Sequence, residues 1–551
     1  MFQRNDVVRV VAPTGTAAFN VGGETFHHWL ELKVSNREYN LGGMSREKRK
    51  RLVGRLRHLL CLIVDERSLV SSQLLGTAEA TISETAFNGG HVKDLSWGGI
   101  PVVILVGDDY QLQGTTEGAI ETLHRTDKGA ATKRGRKAFL ECSRTVFELN
   151  RIRRVSDKEE AAKTLMNRIR LAEDITDDDA NKLLGLRLEK IKEKHGKHYV
   201  DKIRSKAIYL FYTNEKRMRH NLEMVRLLSD KWNPTAFLKT KSTGKTRGKG
   251  QRSHFAGSEI PKTSIIFNGS KVALENRNLC PLWGLHNGAC GTIKEIIFET
   301  GQSPLTGDFP AYVVVEFPLY TGPPWDLDNP KVSKISEYVK NYSNCNFSQS
   351  RQSLQLVPIP VTEFRCSNNC CTRTFLPLSV SYARTIHKFQ GLSAGPVDEG
   401  KIPNIYEVII CDPDAKKVEG RCTGLLYTAL SRATTLGDPD GRNSAIYFDG
   451  PEFNFERIRY LAKKQNQKDD FTTVVHRRQW VQHLRKHTKK PHRLASCDGK
   501  DTLPQKYAKL FAWATETRVS EEVLRRRIDA YTTERVEQSH RTSFGYANSH
   551  M

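Results

Sequence analysis

Short apolar runs, rich in β-branched residues, recur along this 551-residue chain, and each ends abruptly in polar or glycine residues. Residues 7–11 give way to Ala12-Pro13-Thr14-Gly15, residues 59–64 to Asp65-Glu66, and residues 100–106 to Gly107-Asp108-Asp109. Residues 207–212 lead into Thr213-Asn214, and residues 408–410 into Cys411-Asp412. Runs of this length without alternation fit strands covered on both faces of a parallel sheet. In such sheets ligands sit beyond the carboxyl ends of the strands, where these polar groups fall. The pattern predicts an α/β fold, with helices over 157–171 and 177–194 between strands.

Two stretches break that rhythm. Residues 238–258, rich in Lys, Arg, Gly, Ser and Thr, read as an exposed basic loop. Across 264–365 the segments 270–275, 291–298 and 311–317 read as strands between Gly/Pro-rich turns, with no clear helix, which predicts a small barrel-like β insertion. The expected division is 1–145 for a first lobe, 146–258 for the start of a second, 259–372 for the insertion and 373–455 for the rest of the second lobe. Residues 456–551 read as a basic, helical extension.

Charge adds a partner to this picture. Lys and Arg number 86 against 62 Asp and Glu, a net charge of +24. Such an excess suits a polyanion, because neutralised phosphates release counterions and give sequence-independent affinity. The longest apolar runs are too short to span a bilayer, and no apolar signal segment follows Met1. The 11 cysteines form no regular framework, which suits a reducing compartment. A soluble intracellular protein with no membrane partner is expected.

The chemistry-bearing residues sit where the strands end. Asp65-Glu66 follows a buried strand; in a nucleotide hydrolase the first carboxylate holds Mg²⁺, usually through water, and the second polarises the attacking water. A solvated strand end would look the same in isolation. In Gly107-Asp108-Asp109-Tyr110-Gln111-Leu112 the glycine allows a tight turn, and the Gln amide can donate to a phosphate and accept from water. Ala383-Arg384-Thr385-Ile386-His387-Lys388-Phe389-Gln390-Gly391 gathers hydroxyl, imidazole, ammonium and amide groups in one turn, as phosphate or single-strand contact requires. Leu426-Tyr427-Thr428-Ala429-Leu430-Ser431-Arg432 reads as a helix presenting one Arg, whose fixed fork matches phosphate oxygens.

Taken in order, these residues resemble the Pif-type (petite-integration-frequency) helicases of superfamily 1, relatives of the RecD motor. Val11 through Ala18 is similar to motif Ia, and Gly23-Glu24-Thr25-Phe26-His27 to the Thr/His element after it. Asp65-Glu66 resembles motif II, Gly107 through Leu112 motif III, and residues 149–154 motif IV, with Arg154 its better candidate and Arg153 adjacent. Tyr212-Thr213-Asn214 with Asn221 resembles the nucleotide-side element opening the second lobe. Leu285 through Thr292 resembles a turn of the family's small barrel, Thr385–Gly391 motif V, and Ala429–Arg432 motif VI. The resemblance runs from about residue 7 to 450.

That resemblance implies two RecA-like P-loop NTPase lobes with parallel sheets, an SH3-like barrel inserted in the second, and ATP with Mg²⁺ between the lobes. It implies 5′ to 3′ translocation on single-stranded DNA, unwinding of duplex or structured DNA, and a nuclear or mitochondrial setting. Asp65, Glu66, Gln111, Arg154 and Arg432 would be catalytic, with Asp65 on the metal through water. Gly107, Asp108, Thr213, Asn214 and Gly391 would line the nucleotide. Pro13, Thr14, Thr25, His27, Thr385, His387, Lys388 and Gln390 would face DNA.

One family element has no counterpart. A motor of this kind needs G-x-x-x-x-G-K-[ST] ahead of motif Ia, its backbone N–H groups cradling phosphates and its Lys reaching the β- and γ-phosphates. Met1 stands only a few residues before the motif Ia strand. Ser242-Thr243-Gly244-Lys245-Thr246 has Lys239 where the first glycine belongs, and follows no buried strand. The expectations are a chain that begins after or within that element and a polypeptide that hydrolyses ATP poorly. A non-catalytic nucleic-acid-binding remnant is the alternative. Smaller departures are Gln113-Gly114 in place of a Pro-Pro after motif III, and Leu69 where Met is common. Cys366, Cys370 and Cys371, with Cys345, give half of a zinc spacing. His476, His483, His487 and His492 among Lys and Arg read better as phosphate-binding than as metal ligands.

Overall fold

The computed structural model describes residues 7–458 apart from 33–43, 57–58, 87–95, 109, 113–128, 143–145, 148, 150–151, 157–158, 172–174, 230–235, 245–262, 276–277, 300, 304–306, 323–354, 366–370, 398–403 and 414–423. The extension beyond 458, with His476, His483, His487 and His492, and Cys345, Cys366 and Cys370 lie outside the described residues. Cys371 begins a strand.

The first lobe comprises β1 (Val8–Ala12), α1 (Gly15–Asn20), β2 (Glu24–Thr25), α2 (Phe26–Trp29), α3 (Arg46–Leu56), β3 (Cys61–Val64), α4 (Ser72–Ala86), β4 (Val102–Leu105) and α5 (Ala130–Cys142). Its sheet runs β2-β1-β3-β4, every pair parallel. Pairing aligns Val11, Val64 and Leu105 on one face, and Val8, Cys61 and Val102 on the other. The first face is the dry one: Val11, Leu62 and Val64 are fully buried with Phe26, Trp29 and Phe139. Helices α4 and α5 cross through Gly76 and Gly135. A Cβ on Gly76 would stand 1.8 Å from the Ala131 carbonyl oxygen, and one on Gly135 1.9 Å from that of Ser72, so only glycine lets the backbones meet.

The chain continues through α6 (Glu160–Leu171), α7 (Asp177–Gly185), α8 (Leu188–Lys206), β5 (Ala207–Phe211) and α9 (Asn214–Leu228). The single helix expected over 177–194 is corrected to two. Thr176 and Asp179 close a capping box on α7. The chain then breaks at Leu186-Arg187, because the Leu186 carbonyl accepts from Phe448 N and Arg187 bridges to Phe448. Sheet pairing overrides helix continuation there.

Ten short strands follow: β6 (Ala236–Lys239), β7 (Lys241–Gly244), β8 (Thr263–Ile266), β9 (Lys271–Leu274), β10 (Cys290–Ile297), β11 (Tyr312–Glu316), β12 (Leu356–Ile359), β13 (Thr362–Arg365), β14 (Cys371–Phe375) and β15 (Leu378–Val380). They form three antiparallel sheets, ordered β12-β11-β10-β9-β15, β13-β14-β7 and β6-β8. The loop expected over 238–258 is corrected for its first part. Ala236, Leu238 and Ile266 are buried in the β core, and β7 pairs with β14 about 130 residues later; residues 245–262 lie outside the described set. The antiparallel strands thus draw in chain on both sides of 259–372, from Ala236 to Val380.

Parallel pairing resumes at β16 (Ala383–Thr385), β17 (Val408–Asp412) and β18 (Ile446–Phe448), which join β5 in the order β16-β5-β17-β18. This second parallel sheet is covered on both faces. Leu165, Leu183, Leu426 and Leu430 pack with Ile208, Leu210 and Ile409 on one side, and Leu188, Ile191 and Val200 of α8 with Ala207, Ile410 and Tyr447 on the other.

Candidate nucleotide cleft and inter-lobe contacts

Backbone pairing delivers the acidic pair. Asp65 N donates to the Val11 carbonyl, extending the β1–β3 ladder, and the chain then turns sharply, with Glu66 in the left-handed region at φ 47°. A non-glycine residue there is uncommon and costs of order 1–3 kcal/mol. The turn aims the Glu66 carboxylate toward the second lobe, where Gln390 Nε2 donates to Oε2 at 3.1 Å. Burial pushes both carboxyls up; for Glu66 the Arg432 charge opposes that rise, while Asp65 adds to it.

Gly107 stands beyond β4 because a Cβ there would lie 2.7 Å from Arg67 Cγ and 3.0 Å from Arg67 N. The next residues cross into the other lobe. Leu112 is fully buried in the second lobe's core with Leu165, Ile386 and Phe389, and its N–H donates to Thr428 Oγ1 at 3.1 Å. Asp108 is the polar counterpart: Oδ2 accepts from Tyr427 Oη at 2.8 Å, and Oδ1 from Arg170 Nε at 3.3 Å. Arg170 also stacks over the Tyr110 ring, 4.6 Å from its centroid. Burial, then the Asp108 charge, pushes the Tyr427 phenol up, so it stays a donor.

Gln111 meets Arg432 from this loop: Arg432 Nη2 donates to Gln111 Oε1 at 3.0 Å. Arg432 is only 1% exposed and further donates to Ser431 Oγ. Arg154 lies at the rim, and its partly buried guanidinium donates to the Ser431 carbonyl. The Arg432 charge and then burial lower Arg154 to about 9, which leaves it cationic at neutral pH. Two guanidiniums held this close favour an anion between them.

Asp65, Glu66, Asp108, Gln111, Arg154, Arg432 and Gln390 therefore converge from both lobes on one cleft, with Gly107 at its edge. Gln390, expected on DNA, donates to Glu66 from the second lobe. Gly391 sits at the lobe junction, its carbonyl accepting from Asn20 Nδ2. Thr213 accepts from Lys216 N as the cap of α9, and Asn214 is exposed on its first turn. Asn221, in the element expected on the nucleotide side, is buried, and its carboxamide bonds both backbone groups of Ala383.

The remaining expected DNA residues cluster at strand ends. Thr14, Thr25 and Thr385 each cap the short helix that follows β1, β2 or β16. Pro13 is half-buried beside Thr14. Burial lowers His27 and His387, keeping both imidazoles neutral at physiological pH. Lys388 is half-buried and pairs with Glu275 at 3.2 Å, where Arg217 also approaches. Sequence reasoning missed Arg170 and Glu275, because a charged residue on an amphipathic helix or after a strand carries no local mark of its partner. Tyr427 and Leu112 stood inside recognisable motifs, but nothing local showed that they bridge the lobes.

Two parallel sheets thus face one cleft lined by paired carboxylates, the Gln111 carboxamide and two arginines. Residues 1–183 match the model of the PIF1-like helicase family. The chain is 38% identical over 107 residues to the ATP-dependent DNA helicase Pif1 of Bdellovibrio bacteriovorus, and 32% over 105 residues to the ATP-dependent DNA helicase RRM3 of Saccharomyces cerevisiae. Each alignment takes in 19% of this chain, and 23% and 14% of those relatives. Its fold is similar to that of a Pif1 helicase from a structural study of DNA unwinding at forked double-stranded DNA by two coordinating Pif1 helicases, with TM-score 0.52, 20% identity, and 85% and 89% of the two chains covered. Bacteroides Pif1 in complex with ADP-AlF3 and single-stranded DNA matches with TM-score 0.50 and 18% identity over 86% and 89%. At that identity these are likenesses of fold. Among the described residues no helix is long and apolar enough to cross a membrane.

Proposed function

We propose that this cleft binds ATP with Mg²⁺ and couples nucleotide state to movement along single-stranded DNA, the reading of an ATP-dependent DNA helicase with 5′ to 3′ polarity. The observation that carries it is the inter-lobe convergence of Glu66, Gln111, Gln390 and Arg432. The residues present fit the terminal phosphate and its metal. Gln390 Oε1 is buried without a protein partner, two crowded guanidiniums await an anion, and a buried carboxyl pair faces them. Asp65 would hold the metal through water and Glu66 would accept the proton of the attacking water. Arg432 and Arg154 would face the γ-phosphate, with Gln111 reporting its presence. Bound Mg²⁺ supplies Lewis-acid polarisation of the phosphoryl group. Thr14, Thr25, Thr385, His27, His387 and Lys388 are proposed to face DNA, with Thr213, Asn214 and Gly391 on the nucleotide side. The antiparallel unit between β5 and β16 is proposed to be the SH3-like barrel of the second lobe.

These 551 residues contain no G-x-x-x-x-G-K-[ST]. Losing one preorganised donor to developing charge costs about 10²–10³ in rate, so this polypeptide on its own is expected to release phosphate near background. DNA-stimulated phosphate release is the test, and turnover typical of a helicase would refute the inference. The second reading, a nucleic-acid-binding protein without catalysis, is supported by the net charge of +24. Single-strand affinity measured with and without an ATP analogue separates the two. A change that disappears in Arg432→Ala supports the nucleotide-coupled cleft, whereas indifference to the analogue supports the binding protein.

A further inference from the structure

Arg384 is only 3% exposed, and its side chain makes two kinds of hydrogen bond, neither to a carboxylate. Nη2 donates to the Gly288 carbonyl at 2.5 Å and Nε to Ser381 Oγ at 3.3 Å, while Nη1 is buried without a partner. Glu275, whose charge reaches Arg384, is itself held by Lys388 and Arg217. A guanidinium keeps its proton in proteins, and a buried charge is costly unless it is paired. Arg384 lines a cavity of about 20 Å³ where three elements meet. Thr16 of α1 comes from the first lobe, His286, Gly288 and Cys290 from the turn into β10, and Arg384 with Tyr406 from the second lobe. No Asp or Glu lines it. Burial lowers His286 and raises Tyr406, so imidazole and phenol are both neutral at physiological pH. The Tyr406 hydroxyl donates to Cys290 Sγ at 3.0 Å, and Sγ donates to the Gly288 carbonyl at 3.7 Å. Gly288 supplies the room: at its φ of 95°, a Cβ would stand 3.3 Å from Thr16 Oγ1 and 3.9 Å from Arg384 Nη2.

We propose that this cavity binds one small monovalent anion, of which chloride is the abundant example, between the Arg384 guanidinium and the Thr16 hydroxyl. Charge selects the class of ligand. An unpartnered guanidinium N–H among neutral neighbours makes the wall cationic and favours an anion. Size selects within that class, because the volume suits a single water-sized occupant and is too small for a phosphate. Water of that size would satisfy Nη1 but leave the charge uncompensated. The anion would accept from both lobes at once. Thr16 lies in the helix capped by Thr14, and Arg384 immediately precedes Thr385 at the end of β16. The bound ion therefore pins α1, the turn into β10 and β16 together across the lobe junction. Neither ATP nor DNA takes part, so the inference stands apart from the nucleotide reading of the cleft.

The test compares chloride with gluconate, an anion too large for the cavity, at fixed ionic strength on the full 551-residue protein. Peptide-resolved amide exchange is read at 284–292 and 383–391, with 102–105 as the internal reference. An occupant bound only to the closed junction slows its opening in proportion to concentration over Kd. Exchange is therefore expected to slow about tenfold where chloride exceeds its Kd about tenfold, with bromide acting alike and sulfate not at all. Arg384→Met is expected to abolish the difference between the two anions, and Thr16→Val, which removes only the hydroxyl, to reduce it. Crystals grown in gluconate and transferred to bromide give a measurement that needs no variant. The expected anomalous peak lies between Arg384 and Thr16. Equal exchange in chloride and gluconate would assign the cavity to water and overturn the proposal. So would a chloride effect that survives in Arg384→Met, or bromide confined to the protein surface, an adventitious ion only.

Discussion

Replacing Asn221 with alanine removes the carboxamide that closes the outer side of β16. Its Oδ1 accepts from Ala383 N at 2.8 Å and its Nδ2 donates to the Ala383 carbonyl at 3.2 Å, so a side chain of α9 stands where another strand would otherwise pair. Both backbone groups are buried, and the site is 9% exposed at Asn221. A buried backbone group stripped of its partner costs about 1–3 kcal/mol. Two such losses, sharing one relaxation, give roughly 2–4 kcal/mol in the free energy that opens β16. At about 1.4 kcal/mol per decade, that is about 30- to 1000-fold faster amide exchange across 383–391. Because global unfolding of several domains is not two-state, peptide-resolved exchange is the assay, with 408–412 as the internal reference. Asn221→Asp keeps the acceptor and loses the donor, so it is expected to fall between. Exchange at 383–391 within about threefold of the parent in Asn221→Ala would refute the reasoning, and so would equal acceleration everywhere.

Tyr427→Phe removes one donor from Asp108 and is expected to weaken the lobe-to-lobe contact by about 1–2 kcal/mol, read as faster exchange in 106–112 and 425–432 with 207–211 unchanged. Gly135→Ala forces a methyl against the Ser72 carbonyl and is expected to cost about 3 kcal/mol or more, read as an earlier first-lobe melt through the buried Trp29 and Trp97. The Glu66 carboxyl is raised in the folded state, chiefly by burial. Its burial is therefore harmless below the ordinary glutamate value and becomes a penalty as pH rises through the raised one. Glu66→Gln is accordingly expected to raise Tm at about pH 7.5 and to leave it unchanged at about pH 4, and a rise confined to the acidic condition would reverse the sign. Glu275→Gln releases Lys388 and Arg217 from their carboxylate and is expected to tighten single-strand binding, steepening the salt dependence by about 0.7 for each additional phosphate neutralised.

The parallel strands were legible because burial on both faces writes a continuous apolar run, and polar residues must begin where each strand leaves the sheet. The same logic located Asp65, Glu66, Gln111 and Arg432. It did not reveal that β7 pairs with β14, because pairing between segments about 130 residues apart leaves no local trace in a basic, Gly/Thr-rich sequence. Nor did it separate α7 from α8, where a backbone bond from Phe448 decides the break. Asn221 was read through its motif neighbourhood, whereas its role is set by an edge strand 162 residues away. Lys388 looked available for phosphate, and only the fold brings Glu275 to it.

Leu112 belongs to the first lobe by sequence and to the second by packing. Protein engineers divide chains at linkers, assuming that each piece keeps its own interior. Here a cut between the lobes would leave one fragment with an exposed leucine and the other with a leucine-sized void. Burial of such a side chain is worth about 2 kcal/mol, and a cut there would forfeit it together with the Asp108–Tyr427, Gln111–Arg432 and Glu66–Gln390 bonds that join the same two lobes.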